Sequence, residues 1–177
     1  MMNDTIVAPL ARAQKLAETA NWLALAAIVM IVLSTVGEFF VGPVLERIET
    51  FDQLRAAFVS LLIVVAINAI LATPAFLLVG ALSDMRVALT EYEGGRFFSG
   101  KANHAVRSAG EWTLYALGMK IVGAPTLHSW VEREHGGIQI NYESFDLGLI
   151  AFAAFVVLVG RVLEAAAAIK AENDEIV

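Results

Sequence analysis

The residues that could act chemically here are ionisable side chains set inside apolar sequence, and there are few of them. Lys120 lies in the middle of Trp112–Val131, and Glu38 and Glu111 lie nearer the edges of apolar segments. A lysine at the centre of a lipid-spanning helix costs about 2.5–3.5 kcal/mol on insertion scales. Lys120 therefore either binds or senses something, or snorkels and fixes helix packing; Asn68 and Thr73 are polar neighbours it could bond. Three histidines are present, His104, His128 and His135, with no i,i+4 pair and no HExxH. Metal and haem sites need such spacing, or facing histidines at one depth, so neither is expected. With no cysteine, disulfides, thiolate metal sites and thiol catalysis are excluded. No GxSxG, Walker-type loop or GxGxxG occurs. Paired carboxylates within apolar sequence are missing too, which weakens proton-coupled transport. The expectation is a non-enzymatic protein without a cofactor.

The elements that would carry these residues are long and apolar. Hydrophobic residues make up 58% and charged residues 17% of the 177, and mean hydropathy is +0.69. Soluble domains average about 45–50% and 25%. About 20 apolar residues cross roughly 30 Å of hydrocarbon, and four stretches qualify: 22–42, 56–83, 112–131 and 145–168. The second has no charge and is too long to stand upright, so Pro74 is expected to kink it by removing the bond to the Ile70 carbonyl. The first exceeds the usual apolar run of a cleaved signal, and no small-x-small site comes after it, so it reads as a retained anchor. Gly118, Gly123, Gly148 and the alanines of the fourth span favour tight packing. The predicted architecture is an all-α integral membrane four-helix bundle in one domain, 1–177.

Orientation follows from the bases. With both ends cytoplasmic, Arg12, Lys15, Arg86, Arg96, Lys101, Arg107, Arg161 and Lys170 lie inside, and only Arg47, Arg55 and Arg133 outside. The outer segments hold eight acids, so most of the net charge of −6 belongs to the outer face. That balance argues against nucleic-acid binding.

Outside the lipid, residues 1–21 suggest a short interfacial helix capped by Asn3 or Asp4, with Pro9 in its first turn. The inner loop, Asp84–Glu111, breaks at Gly94–Gly95 and restarts at Ser99, a good helix cap; its bases suit anionic headgroups. In the outer loop Ile138–Tyr142 alternates as a brief strand would, although a lone strand is unstable. After Arg161 the alanine-rich helix should project several turns and end on acids and Ile176–Val177.

Two of these stretches together resemble a family. Gly95-Arg-Phe-Phe-Ser-Gly-Lys-Ala-Asn-His-Ala-Val-Arg-Ser-Ala-Gly110 and Glu172-Asn-Asp-Glu-Ile-Val177 are similar to motifs of the bacterial four-span membrane family known as domain of unknown function 2975. The matching positions are Gly95, Phe97 or Phe98, Ser99, Asn103, Arg107, Gly110, Glu172, Asn173 and Val177; the glycine expected before the tail is replaced by Ala165–Ala168. The resemblance implies an inner-membrane protein with no established activity, often encoded beside a small helix-turn-helix regulator. It thereby implies a membrane partner that sequesters or modulates a transcription factor. The residues expected at that interface are Phe97, Phe98, Asn103, Arg107, Glu172, Asn173 and Val177, with Lys120 and Asn68 as intramembrane polar residues. The alternative is an accessory subunit of a transporter or larger membrane complex, in a homo- or hetero-oligomer.

Overall fold

The structure, a computed structural model, describes residues 4–42, 58–131 and 137–175. Helix accounts for nearly all of them, and no strand occurs among the described residues. Helix α1 (Asp4–Val36) passes into a π-helical turn, Gly37–Val41. Helices α2 (Phe58–Leu71) and α3 (Thr73–Glu93) meet at a bend of 48°. Helix α4 (Gly100–Gly118) continues through a second π-helical turn, Met119–Gly123, into α5 (Ala124–Val131). Helix α6 covers Ser144–Glu175.

Two helical stretches, Ala11–Val41 and Ser144–Ile169, are long and apolar enough to cross a membrane, and the bent pair α2–α3 is a third candidate if it is one span. The distribution of side chains fits that chemistry. The packed interior is built from small residues, among them Ala81, Ala88, Ala102, Ala105, Ala109 and Ala153. Large apolar side chains such as Leu23, Met30, Phe152, Phe155 and Leu158 point outwards. Water-soluble cores do the reverse, whereas helices in lipid gain from close backbone approach.

Helices pair in chain order: α1 with α3, α3 with α4, and α4 with α6. Contact between α1 and α6, which would close a four-helix bundle, is at most marginal among the described residues. Glycines let α4 and α6 approach closely. A Cβ on Gly160 would sit 2.7 Å from the Arg107 backbone, and one on Gly110 would sit 2.7 Å from Val157. Gly118 and Gly148, expected to serve this purpose, face open space. Small size permits close approach, but helix rotation decides which glycine uses it.

Pro74 behaves as expected. It enters the first turn of α3, and the helix breaks just before it at Ala72. Two other expectations change. Residues before Trp22 do not form a separate helix: α1 is continuous, and Pro9 lies beyond its first turn. Between Asp84 and Glu111 the break at Gly94–Gly95 and the helix after Ser99 are as expected; what differs is α3, which persists to Glu93. Gly95 turns the chain with φ +74°, a conformation glycine adopts without a Cβ penalty. Ser99 caps α4, its Oγ accepting from the Ala102 N–H at 3.0 Å.

Ile138–Tyr142 forms no strand, yet its alternation is real. Odd residues hydrogen-bond to α5 and the π turn, and the even ones make no such bonds among the described residues. The Trp130 indole donates to the Gly137 carbonyl (3.2 Å), and the Thr126 hydroxyl both donates to and accepts from the Gln139 backbone (3.1 and 3.0 Å). Pro125 has no N–H to give the Ile121 carbonyl four residues back; the Asn141 N–H bonds that carbonyl instead, at 2.9 Å. Ile138, Ile140 and Tyr142 are exposed.

Candidate functional site

Two polar clusters interrupt this apolar frame, one near the Gly94–Ser99 turn and one near the second π turn. The first laces α3, α4 and α6 together. Asn103 is fully buried, and its Nδ2 donates to the Leu163 carbonyl at 3.0 Å. Its Oδ1 has no hydrogen-bond partner among the described residues. One turn along, Arg107 Nη1 donates to Glu164 at 2.9 Å. Arg107 Nε lies 3.4 Å from Glu111, close enough for charge attraction but not aligned for a hydrogen bond. On the other face of α4 the Ser108 hydroxyl donates to Asp84 at 2.5 Å.

Glu91 organises the turn itself. It accepts from Arg96 Nε at 2.7 Å and from the Ser99 hydroxyl at 3.3 Å, with Lys101 3.6 Å away. The Arg96 guanidinium holds the Glu91 carboxyl below its ordinary range, against the opposing effect of burial; Ser99 and Lys101 act in the same direction as Arg96. Phe97 stacks on Tyr92 with ring centroids 5.5 Å apart, and Phe98 is 61% exposed. Asn21 of α1 joins the cluster to α3, accepting from Arg86 Nε and donating to Glu93, both at 2.9 Å.

The expected interface residues thus separate by role. Asn103 and Arg107 hold α4 against α6, and Phe97 packs within the turn. Phe98, Glu172 and Asn173 are exposed. Val177 lies outside the described residues, as do Asn3 and the basic residues Arg47, Arg55 and Arg133. The antiparallel register set by Lys120–Asp146, Gly110–Val157, Arg107–Gly160 and Asn103–Leu163 places the start of α4 opposite about residue 166. The last turns of α6 therefore overhang the turn by about 13 Å at 1.5 Å per residue.

The second cluster centres on Lys120. Its Nζ donates to Asp146 Oδ1 at 2.6 Å. Asp146 is 1% exposed, and its Oδ2 accepts the Glu143 N–H at 3.0 Å. It is the third residue of α6 and reaches back over the helix start, which is the side-chain half of a capping box. The pairing answers the question left by a lysine within an apolar segment: a carboxylate 26 residues on neutralises it. Thr73, an expected partner, donates back across the bend to the Ala69 carbonyl of α2. Sequence reasoning counted Asp146 only as an outer-face acid; its place in the first turn of an apolar helix was the available signal. Among the described residues no group of three or more metal-ligating side chains exists.

No curated protein and no solved structure matches this chain. A family model described as "Protein of unknown function (DUF2975)" matches residues 48–177, a range that takes in everything from α2 to the tail, including the Asn103–Leu163 and Lys120–Asp146 contacts. The chain belongs to that family.

Proposed function

We propose that this is a non-enzymatic inner-membrane protein that crosses the bilayer four times, near residues 22–42, 56–83, 112–131 and 145–168, with both ends cytoplasmic. Its cytoplasmic part engages a soluble partner, a helix-turn-helix type regulator, through the α3–α4 turn and the end of α6. The observation that carries this reading is the rigid overhang. α3 continues about 15 Å past Ser83, α4 begins at the turn, and α6 runs on to Glu175. Charged pairs and the buried Asn103 brace these extensions. Anchors of that kind present Phe98, Glu172 and Asn173 at fixed positions, which lowers the ordering cost of binding. Asn103 and Arg107 contribute by bracing, not by contact. The distribution of bases supports the orientation.

Co-purification with the regulator encoded beside it tests the partner. Deleting 171–177, or replacing Phe98 with Ser, should abolish recovery of the regulator; undiminished recovery with both changes overturns the reading. Because the chain has no cysteine, single cysteines placed at each end report topology cleanly. Labelling from opposite faces of sealed vesicles refutes the four crossings. A second reading, an accessory subunit of a larger membrane complex, draws on the exposed Trp130, Ile138 and Tyr142 row.

A further inference from the structure

The two π-helical turns converge. Each is five residues long: Gly37-Glu-Phe-Phe-Val41, followed by Gly42, and Met119-Lys-Ile-Val-Gly123, preceded by Gly118. In each, an N–H bonds the carbonyl five residues back, from Gly42 to Gly37 and from Ala124 to Met119. π turns are rare, strained insertions that occur often at functional sites. Phe39 from the first and Lys120 from the second line one cavity of about 560 Å³, together with Leu71, Ala124, Pro125, His128, Ser129 and the segment around Ile140. That volume suits a small organic ligand.

Lys120 is the formal charge in that lining, and its hydrogen bonds show what it can offer a ligand. Both oxygens of Asp146 are engaged, one by Lys120 and one by the Glu143 N–H. Lys120 has three N–H donors and gives one to Asp146. Its side chain is half exposed into the cavity. What the ion pair offers a ligand is therefore donor capacity. Phe39, Leu71, Pro125 and Ile140 supply an apolar wall. We propose that this cavity binds an amphiphile with an anionic oxygen headgroup, a carboxylate or a phosphate monoester, seated on Lys120 with its chain along Phe39 and Leu71. The proposal stands on the π-turn end of the molecule and does not depend on the regulator reading.

The test uses the full chain in nanodiscs of zwitterionic lipid, with native mass spectrometry counting bound decanoate, decyl phosphate and decanol. One decanoate or one decyl phosphate should bind saturably per chain, and decanol should not. The two anionic arms show which headgroup is preferred. Lys120→Met paired with Asp146→Asn, which removes the charge without stranding its partner, should weaken binding by about tenfold or more, the size of a charge-assisted hydrogen bond. Ala124→Phe, which fills the cavity and leaves the ion pair intact, should abolish it. Equal binding of decanol, or full binding by both variants, overturns the site. Ala124→Phe bears on the site even if the double variant fails to fold.

Discussion

Replacing Gly160 with alanine puts one methyl group into the α4–α6 seam, where its effect can be worked out. The new Cβ would lie 2.7 Å from Arg107 Cα, Cβ and N. Ordinary contact needs 3.4 Å or more, and the obstacle is backbone, so the helices must separate by most of an ångström. Overpacking of that kind costs about 1–3 kcal/mol. Separation also stretches the Asn103–Leu163 bond of 3.0 Å and the Arg107–Glu164 pair of 2.9 Å; a buried amide left unpaired costs a further 1–3 kcal/mol or so. Against this, alanine is favoured over glycine in a helix by up to about 1 kcal/mol. The seam wins, and a net loss of about 2 kcal/mol should lower the midpoint of thermal unfolding by about 4–8 °C for a chain of this size. Gly148→Ala is the internal control: it lies on the same helix, and a Cβ there meets nothing within 4 Å. It should be neutral or raise the midpoint slightly. Circular dichroism in one detergent measures both. If Gly160→Ala melts at or above wild type, the close approach of α4 and α6 is wrong.

Three further outcomes concern the turn. Gly95→Ala should destabilise by about 1–2 kcal/mol through its left-handed backbone, since φ is +74°; the nearby Gln14 side chain can swing aside, so chemical denaturation should show no larger loss. Ser99→Ala should cost about 1 kcal/mol and Ser99→Gly only a few tenths, and hydrogen exchange at the Ala102 amide should rise in both. Glu91 is held below its usual pKa of 4.5 by Arg96. Its contribution is thus complete above that value and fades as pH falls through the lower folded-state pKa, with Arg96 charged throughout. A melting series from pH 7 to 3 should show an acid-side loss that shrinks in Glu91→Gln; an unchanged acid limb would remove Glu91 from the account.

Much of the frame was legible because it depends on local chemistry. Pro74 lacks an N–H, Gly95 lacks a Cβ and Ser99 carries a short acceptor, so a break, a turn and a cap could be placed from residue type alone. Failures came where distant parts of the chain must meet. Thr73 was a neighbour Lys120 could bond, but it bonds Ala69, and Asp146 reaches Lys120 through the antiparallel register of α4 and α6. Gly118 and Gly148 were read as packing positions, whereas Gly110 and Gly160 occupy the seam. A π turn adds one residue and rotates the rest of its helix by about 100°, which shifts the helix face that a regular count would predict. The break at Gly94–Gly95 and the restart at Ser99 were legible between Asp84 and Glu111, but not that α3 persists to Glu93 or that Arg107 pairs with Glu164 of a distant helix. The residues proposed to meet a regulator came from motif likeness, and geometry divides them into braces, Asn103 and Arg107, and exposed groups, Phe98, Glu172 and Asn173.

Helix α6 has no proline and no π turn from Ser144 to Glu175. Its 32 residues form a rod of about 48 Å, with a buried carboxylate near one tip and the acidic end at the other. Asn103 and Arg107 fasten it to α4 partway along, and Lys120 grips its first turn. A shift at the Asp146 tip must therefore carry α4 with it before it reaches Glu172.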